Sequence, residues 1–199
     1  MDRRTLLQRF AVVIGGSLVG ADSLLAKSIH WENMDYDPDG PGGGKGVGIF
    51  EKKQIKLLNE IAETIIPATD TPGAKAAKVG AFMAVIVSDC YESKDQMRFT
   101  EGLLALEDDC KKQTGKTFLR CSPAQRTEFL NALDKKQKEV AKSKKSDEPH
   151  HYFRTIKDMA IWGYFTSEIG ATQALRFLEY PGKYTTVDYK KGERNWGGY

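Results

Sequence analysis

The sequence predicts an all-α domain, and three observations predict it. Apolar residues recur at three- and four-residue spacing in successive stretches between Phe50 and Phe177. Turn and capping signals punctuate these stretches at Pro67, Gly73, Gly115, Pro123 and Pro149. Alternating strand patterns are almost absent, residues 116–121 being the one short candidate. The expected architecture is a single helical domain of five to six helices over residues 49–180, with non-helical segments on both sides.

The first helix starts near Phe50 and puts Ile55, Leu58, Ile61 or Ala62, and Ile65 on one face. Pro67 stops it, and Ala68-Thr-Asp-Thr-Pro-Gly73 makes the turn. A second helix over residues 76–91 turns Val79, Phe82, Met83, Ile86, Val87 and Cys90 inward. Ser93 with Gln96 carries a capping-box signature for a third, which bears Phe99, Leu103, Leu106 and Cys110 and ends at Gly115. Ser122, Pro123 and Gln125 open a fourth, with Phe129, Leu130, Leu133 and Val140 inward. A fifth spans residues 151–168 through Phe153, Ile156, Met159, Ala160 and Phe165, and a shorter segment follows over residues 171–177.

The flanks differ in kind. Residues 27–48 form a linker rich in Gly, Pro and Asp, including Asp35-Tyr-Asp-Pro-Asp-Gly-Pro-Gly-Gly-Gly-Lys-Gly-Val-Gly48, with no periodic apolar face. Residues 181–199 form an extended arm that spaces Tyr184, Tyr189, Trp196 and Tyr199 without a core of its own. Large aromatics on such an arm need a surface to bury on, either the chain's own domain or a partner subunit. Trp162, Tyr164, Phe165, Tyr184 and Trp196 are the expected partner-interface residues.

Composition narrows function. With 30 Lys+Arg against 27 Asp+Glu the net charge is +3, which gives no nucleic-acid footprint. The basic run Asp134-Lys-Lys-Gln-Lys-Glu-Val-Ala-Lys-Ser-Lys-Lys145 is broken by acids and apolar residues and reads as a solvated helix face. Three cysteines, Cys90, Cys110 and Cys121, allow at most one internal bridge and fit no zinc or iron–sulfur spacing; buried free thiols and one bridge both remain open.

Residues 1–26 read as an export signal. Arg3 and Arg4 precede Thr5, Leu6 and Leu7, and an apolar stretch follows that is shorter than the roughly 20 residues a membrane span requires. The pattern resembles a twin-arginine signal, with Arg3, Arg4, Leu6 and Leu7 as its motif. Cleavage is expected after Ala21 or Ala26, with a retained N-terminal anchor as the alternative. The twin-arginine route carries folded cargo, commonly with a cofactor already in place.

No cofactor motif follows in this chain. His150 and His151 are adjacent and point to different sides of a helix, and His30 lies in the linker. Cys110-Lys-Lys-Gln-Thr-Gly-Lys-Thr117 mimics the end of a P-loop but has Cys110 for the first glycine and follows a helix, so it reads as a helix stop. The glycines of residues 40–48 fit no dinucleotide fingerprint. Acidic pairs such as Asp108-Asp109 lack a helical Glu-x-x-His, and Ser88, Ser93, Ser122 and Ser167 lack a nucleophile elbow. No catalytic, cofactor-binding or metal-binding residues are expected.

Two stretches carry a resemblance. Ile61-Ala-Glu-Thr-Ile-Ile-Pro-Ala-Thr-Asp-Thr-Pro-Gly-Ala-Lys-Ala-Ala-Lys-Val79, and Gly163-Tyr-Phe-Thr-Ser-Glu-Ile-Gly170 continuing to Tyr180-Pro-Gly-Lys-Tyr184, resemble the gluconate 2-dehydrogenase subunit 3 family. The resemblance implies the small subunit of a periplasmic, membrane-associated sugar or glycoside dehydrogenase. Its large GMC-type flavoprotein subunit would hold FAD and oxidise the sugar, and a cytochrome c subunit often takes the electrons. The small subunit would support folding, stability and export of the flavoprotein, so that the exported cofactor need not lie in this chain. Membrane association would come only through the signal or the complex. The alternative is a free-standing periplasmic helical binding or structural protein.

Overall fold

A computed structural model describes residues 46–143, 150–180, 182, 186, 188 and 190–197. All of them fall within one compact unit, Pro41–Tyr199. The signal motif Arg3, Arg4, Leu6 and Leu7, most of the linker, and Tyr184, Tyr189 and Tyr199 lie outside the described residues.

The chain is all-α in character. Five α-helices are described: α1 (Lys52–Ile65), α2 (Val79–Cys90), α3 (Ser93–Thr114), α4 (Pro123–Ser143) and α5 (Tyr152–Phe165). A 3₁₀ turn, Phe118–Arg120, sits between α3 and α4, in the stretch that offered the one short strand candidate. After α5 the chain makes a π-helical turn, Gly170–Ala174, and two short strands, β1 (Arg176–Phe177) and β2 (Trp196–Gly197), pair in parallel. The short helix expected over residues 171–177 is thus a wide turn followed by β1.

Helix α5 is central and packs against all four other helices. Its Phe153, Ile156, Met159, Ala160, Gly163 and Tyr164 are buried, and their spacing at i, i+3, i+6, i+7, i+10 and i+11 puts them on one face. Around it close Ile55, Leu58 and Ile61 of α1, Met83 of α2, Leu103 and Leu106 of α3, Phe118 of the 3₁₀ turn, and Phe129 of α4. Each such side chain contributes about 1.5–3 kcal/mol by leaving water.

Arg126 of α4 is the principal polar tie across this core. Its guanidinium pairs with Glu60 of α1, donates to the Phe118 and Leu119 carbonyls at 3.1 and 2.9 Å, and lies 5.5 Å from the centre of the Phe118 ring. Burial by itself raises the Glu60 carboxyl, but hydrogen bonds and charge from Lys75 and Arg126 outweigh it and leave the group below its ordinary range.

Three helix details depart from the sequence expectation and one meets it. Ser93 and Gln96 form no capping box: Glu92 is the N-cap, and Gln96 Nε2 donates to the Ser88 and Tyr91 carbonyls, stitching the end of α2 to the start of α3. The Ser122–Gln125 box does form, with Ser122 N donating to Gln125 Oε1 at 3.0 Å and Gln125 N to Ser122 Oγ at 3.3 Å. Cys90 is exposed, because α2 ends there as the chain turns out toward α3. Val140 is exposed as well; the inward position of that part of α4 is taken by Gln137, and Lys135, Lys136, Lys138 and Lys142 form the solvated face.

Asp134 joins α4 to α5, accepting from Lys157 Nζ and Lys138 Nζ, both at 2.6 Å, and from Gln137 Nε2 at 3.1 Å. Burial opposes ionisation, yet these three donors hold the carboxyl at about 2, against an ordinary 3.8. A carboxyl depressed on folding stabilises the protein at pH values above its unfolded value and loses that contribution as the pH falls through the folded one. Asp134 is partly open to water, so the screened contribution is about 1–2 kcal/mol rather than the full shift. Urea denaturation should show Asp134→Asn less stable than the parent by that amount at pH 7, with the two curves converging near pH 2. A gap that persists at pH 2 would contradict the assignment.

Candidate functional site

The most elaborately held loop of the molecule joins α1 to α2. Pro67 has no amide hydrogen to extend α1, and Ile66 caps the helix by donating to the Ala62 carbonyl at 2.8 Å. The loop then folds over the end of α1, and the Glu63 carboxylate ties its two sides together. Glu63 Oε1 accepts from Ala68 N at 3.1 Å and Oε2 from Lys75 N at 2.7 Å. Ala74 N donates to the Ile66 carbonyl at 3.0 Å, and Lys75 Nζ pairs with Glu60 at 2.8 Å. Lys78, with a left-handed φ of 53°, begins α2.

From the other end of the chain, Tyr164 of α5 closes the loop. Its ring is 2% exposed, and its hydroxyl donates to the Pro72 carbonyl at 2.8 Å, with Thr71 Oγ1 3.4 Å away. The two stretches that carry the family resemblance, 92 residues apart at this bond, therefore meet in space. Ile66, Pro67, Pro72 and Gly73 shape the turn, Glu63 and Lys75 tie it, and Tyr164 anchors it to the central helix.

The second stretch has its own steric logic at Gly170. A Cβ there would lie 1.9 Å from the Tyr164 carbonyl oxygen. Only glycine allows the π-helical turn to pack back onto the end of α5. Ser167 supports the same turn, its hydroxyl donating to the Tyr164 carbonyl at 2.6 Å and accepting from Gly170 N at 3.1 Å.

The arm returns to this turn. Arg176 N donates to the Asn195 carbonyl at 2.9 Å, and its guanidinium pairs with Glu193 at 2.8 Å and lies 5.4 Å from the centre of the Trp196 ring. Arg194 donates to the Thr172 and Gln173 carbonyls at 3.2 and 2.7 Å. Residues 193–197 thus lie on the chain's own body, one of the two surfaces expected for them.

The expected interface residues separate into three groups. Trp162 and Phe165, one helical turn apart on α5, are 50% and 40% exposed, with Trp162 edge-on to Phe82 at 5.1 Å. Trp196 is 56% exposed. Tyr164 is a correction: it is core and loop anchor and presents no ring to a partner. Its buried place follows the α5 spacing of Phe153, Ile156, Ala160 and Gly163, a signal legible in the sequence. Tyr184 lies outside the described residues. Phe177, Leu178 and Tyr180 are also exposed, though sequence reasoning did not single them out. Six of the ten exposed large apolar side chains among the described residues thus fall between residues 162 and 196.

Titratable groups make a weaker case for chemistry. A groove of about 640 Å³ is lined by Tyr91, Asp95, Arg98, Phe99, His150 and Tyr152, among others. At its edge burial, reinforced by the Asp109 carboxylate accepting at 3.0 Å, pushes the Tyr152 hydroxyl well above its ordinary range, so it stays a protonated donor. Burial and the Lys136 charge lower neighbouring His151, with Asp109 opposing them. Among the described residues no group of three or more His, Cys, Asp or Glu is placed to hold a metal ion, and no helix is long and apolar enough to cross a membrane.

The profile of the gluconate 2-dehydrogenase subunit 3 family matches residues 52–182, from the start of α1 to just past β1. The chain belongs to the gluconate 2-dehydrogenase subunit 3 family. No curated protein and no solved structure matches it. Membership makes this an accessory-subunit type of a dehydrogenase complex, with partner subunits implied. The subunit 3 match takes in the tied loop, Tyr164 and the Gly170 turn, so the matched region contains the whole α1–α2–α5 junction.

Proposed function

We propose that this chain is the non-catalytic small subunit of a periplasmic FAD-dependent, GMC-type sugar or glycoside dehydrogenase. It supports folding, stability and twin-arginine export of the catalytic flavoprotein, which holds the FAD and carries out the oxidation. A cytochrome c subunit is the proposed electron acceptor of the same complex. The observation that carries this reading is the family match across the helical body.

Two further features support it. The Arg3, Arg4, Leu6 and Leu7 pattern would give a flavin-loaded partner a route out when the partner carries no signal of its own. The exposed Trp162, Phe165, Phe177, Leu178, Tyr180 and Trp196 supply aromatic and aliphatic anchors of the kind that dominate stable interfaces. Trp162, Phe165 and Trp196 therefore remain proposed partner-facing residues, and Tyr184 is proposed with them.

The test is recovery of the tagged chain from its native periplasm, with a flavin absorbance spectrum and mass spectrometry of whatever accompanies it. A stoichiometric flavoprotein is the expected companion. Recovery of the chain alone, soluble and colourless, would overturn the subunit reading and favour a free-standing binding or structural protein.

A further inference from the structure

Cys110 and Cys121 face each other at the corner where α3 gives way to α4. Both are buried, 0% and 5% exposed, and their sulfurs are 3.7 Å apart, the contact distance of two thiols. Thr114 Oγ1 is 3.7 Å from Cys110 Sγ and 3.4 Å from Cys121 Sγ, but its own proton goes to the Cys110 carbonyl at 2.8 Å. Cys90 is exposed at the end of α2. A disulfide needs the two sulfurs about 1.7 Å closer, a displacement within reach of side-chain rotation and a small shift of the turn.

We propose that Cys110 and Cys121 are a disulfide site, joined in the mature protein in an oxidising compartment, with Cys90 left as a single thiol. The oxidant is a disulfide-bearing thiol oxidoreductase or small disulfide. Cys121 is the more exposed residue of the two, so its thiolate attacks one sulfur of the oxidant, whose S–S bond breaks and releases one thiolate. The Cys110 thiolate then attacks Cys121 Sγ, closing the protein disulfide and releasing the second oxidant thiol. The two protein thiols lose two protons and two electrons, which the oxidant gains.

The bond would close a loop holding the 3₁₀ turn Phe118–Arg120, whose Phe118 and Leu119 carbonyls seat Arg126 and, through it, Glu60 of α1. The covalent link therefore secures the polar tie between α1 and α4. Oxidation should raise the thermal midpoint by about 5–10 °C.

Full-length chain purified under reducing conditions, incubated with oxidised glutathione, denatured, alkylated and digested with trypsin decides the matter by mass spectrometry. Lys111, Lys112, Lys116 and Arg120 place cleavage sites between the two cysteines. The expected product is a linked peptide pair, two hydrogens lighter than its parts, joining Cys110 to Cys121. Dithiothreitol should lower the melting temperature of the oxidised parent and of Cys90→Ser alike. It should leave the Cys110→Ala/Cys121→Ala double variant unchanged, with circular dichroism confirming that this variant folds. Three freely alkylated thiols after oxidation, glutathione adducts without the link, or a link to Cys90 would each overturn the proposal. Because the assay uses the isolated chain and a small oxidant, its outcome is independent of the flavoprotein and export readings.

Discussion

Changing Arg3 and Arg4 together to lysine should abolish periplasmic accumulation of this chain and of its proposed flavoprotein partner, leaving both in the cytoplasm. The twin-arginine route reads the guanidinium pair, and lysine keeps the charge but not the planar fork of donors. A charge-conserving change therefore separates recognition by that route from general electrostatic attraction. The double substitution lies outside the matched region, so the helical body is untouched. Fractionation with immunodetection of both proteins, and flavin content of the periplasmic fraction, are the measurements. Flavoprotein export that continues when this chain is retained would show that the partner has its own route and would remove the carrier role.

The second large effect concerns the joint between α1 and α2. Gly80→Val should lower the thermal midpoint by more than about 10 °C, because a Cβ at that position would fall 2.6 Å from both the backbone nitrogen and Oδ1 of Asn59. Asn59 is 3% exposed and accepts the Gly80 amide at 2.9 Å, so the helices can part only by losing that hydrogen bond. Overpacking and an unsatisfied buried amide together cost about 3–5 kcal/mol, out of a total that is typically 5–15. Asn59→Leu removes only the acceptor and should cost about 1–3 kcal/mol. Thermal melts followed by circular dichroism should rank Gly80→Val below Asn59→Leu below the parent. Equal melts for all three would mean that α1 and α2 tolerate separation.

How much of this was legible in the sequence depends on the range of the interaction. The helices were, because each is written in local apolar spacing, with Pro67 and Gly115 as stops and Pro123 as a start. The Ser93 misreading was a contest between two local solutions. Glu92 took the N-cap, and Gln96 found better use bridging backward to α2. Cys90 and Val140 were misplaced because helix spacing gives a face but not the point at which the helix outruns its partners. The pairing of β2 with β1 joins Trp196 to Arg176 through two-residue strands, too short to show any alternation. Of the candidate site, its residues were visible as a family resemblance, but their common purpose was not. That Glu63, Lys75, Pro72 and Tyr164 form one tied loop depends on a contact between distant parts of the chain that no local pattern encodes.

The central position of α5 bears on when the protein can fold. It is the last of the described helices to be synthesised, and the other four all pack against it. At a ribosomal pace of about 5–20 residues per second, α1 to α4 emerge seconds before the element that covers their apolar faces. Closure of the core, and of the tied loop through Tyr164, must therefore wait until residues near 164 have left the ribosome. An exported subunit built this way would present an N-terminal targeting sequence long before its body is compact. On the proposed export reading, that interval favours cytoplasmic factors that hold the leader until the last helix has docked.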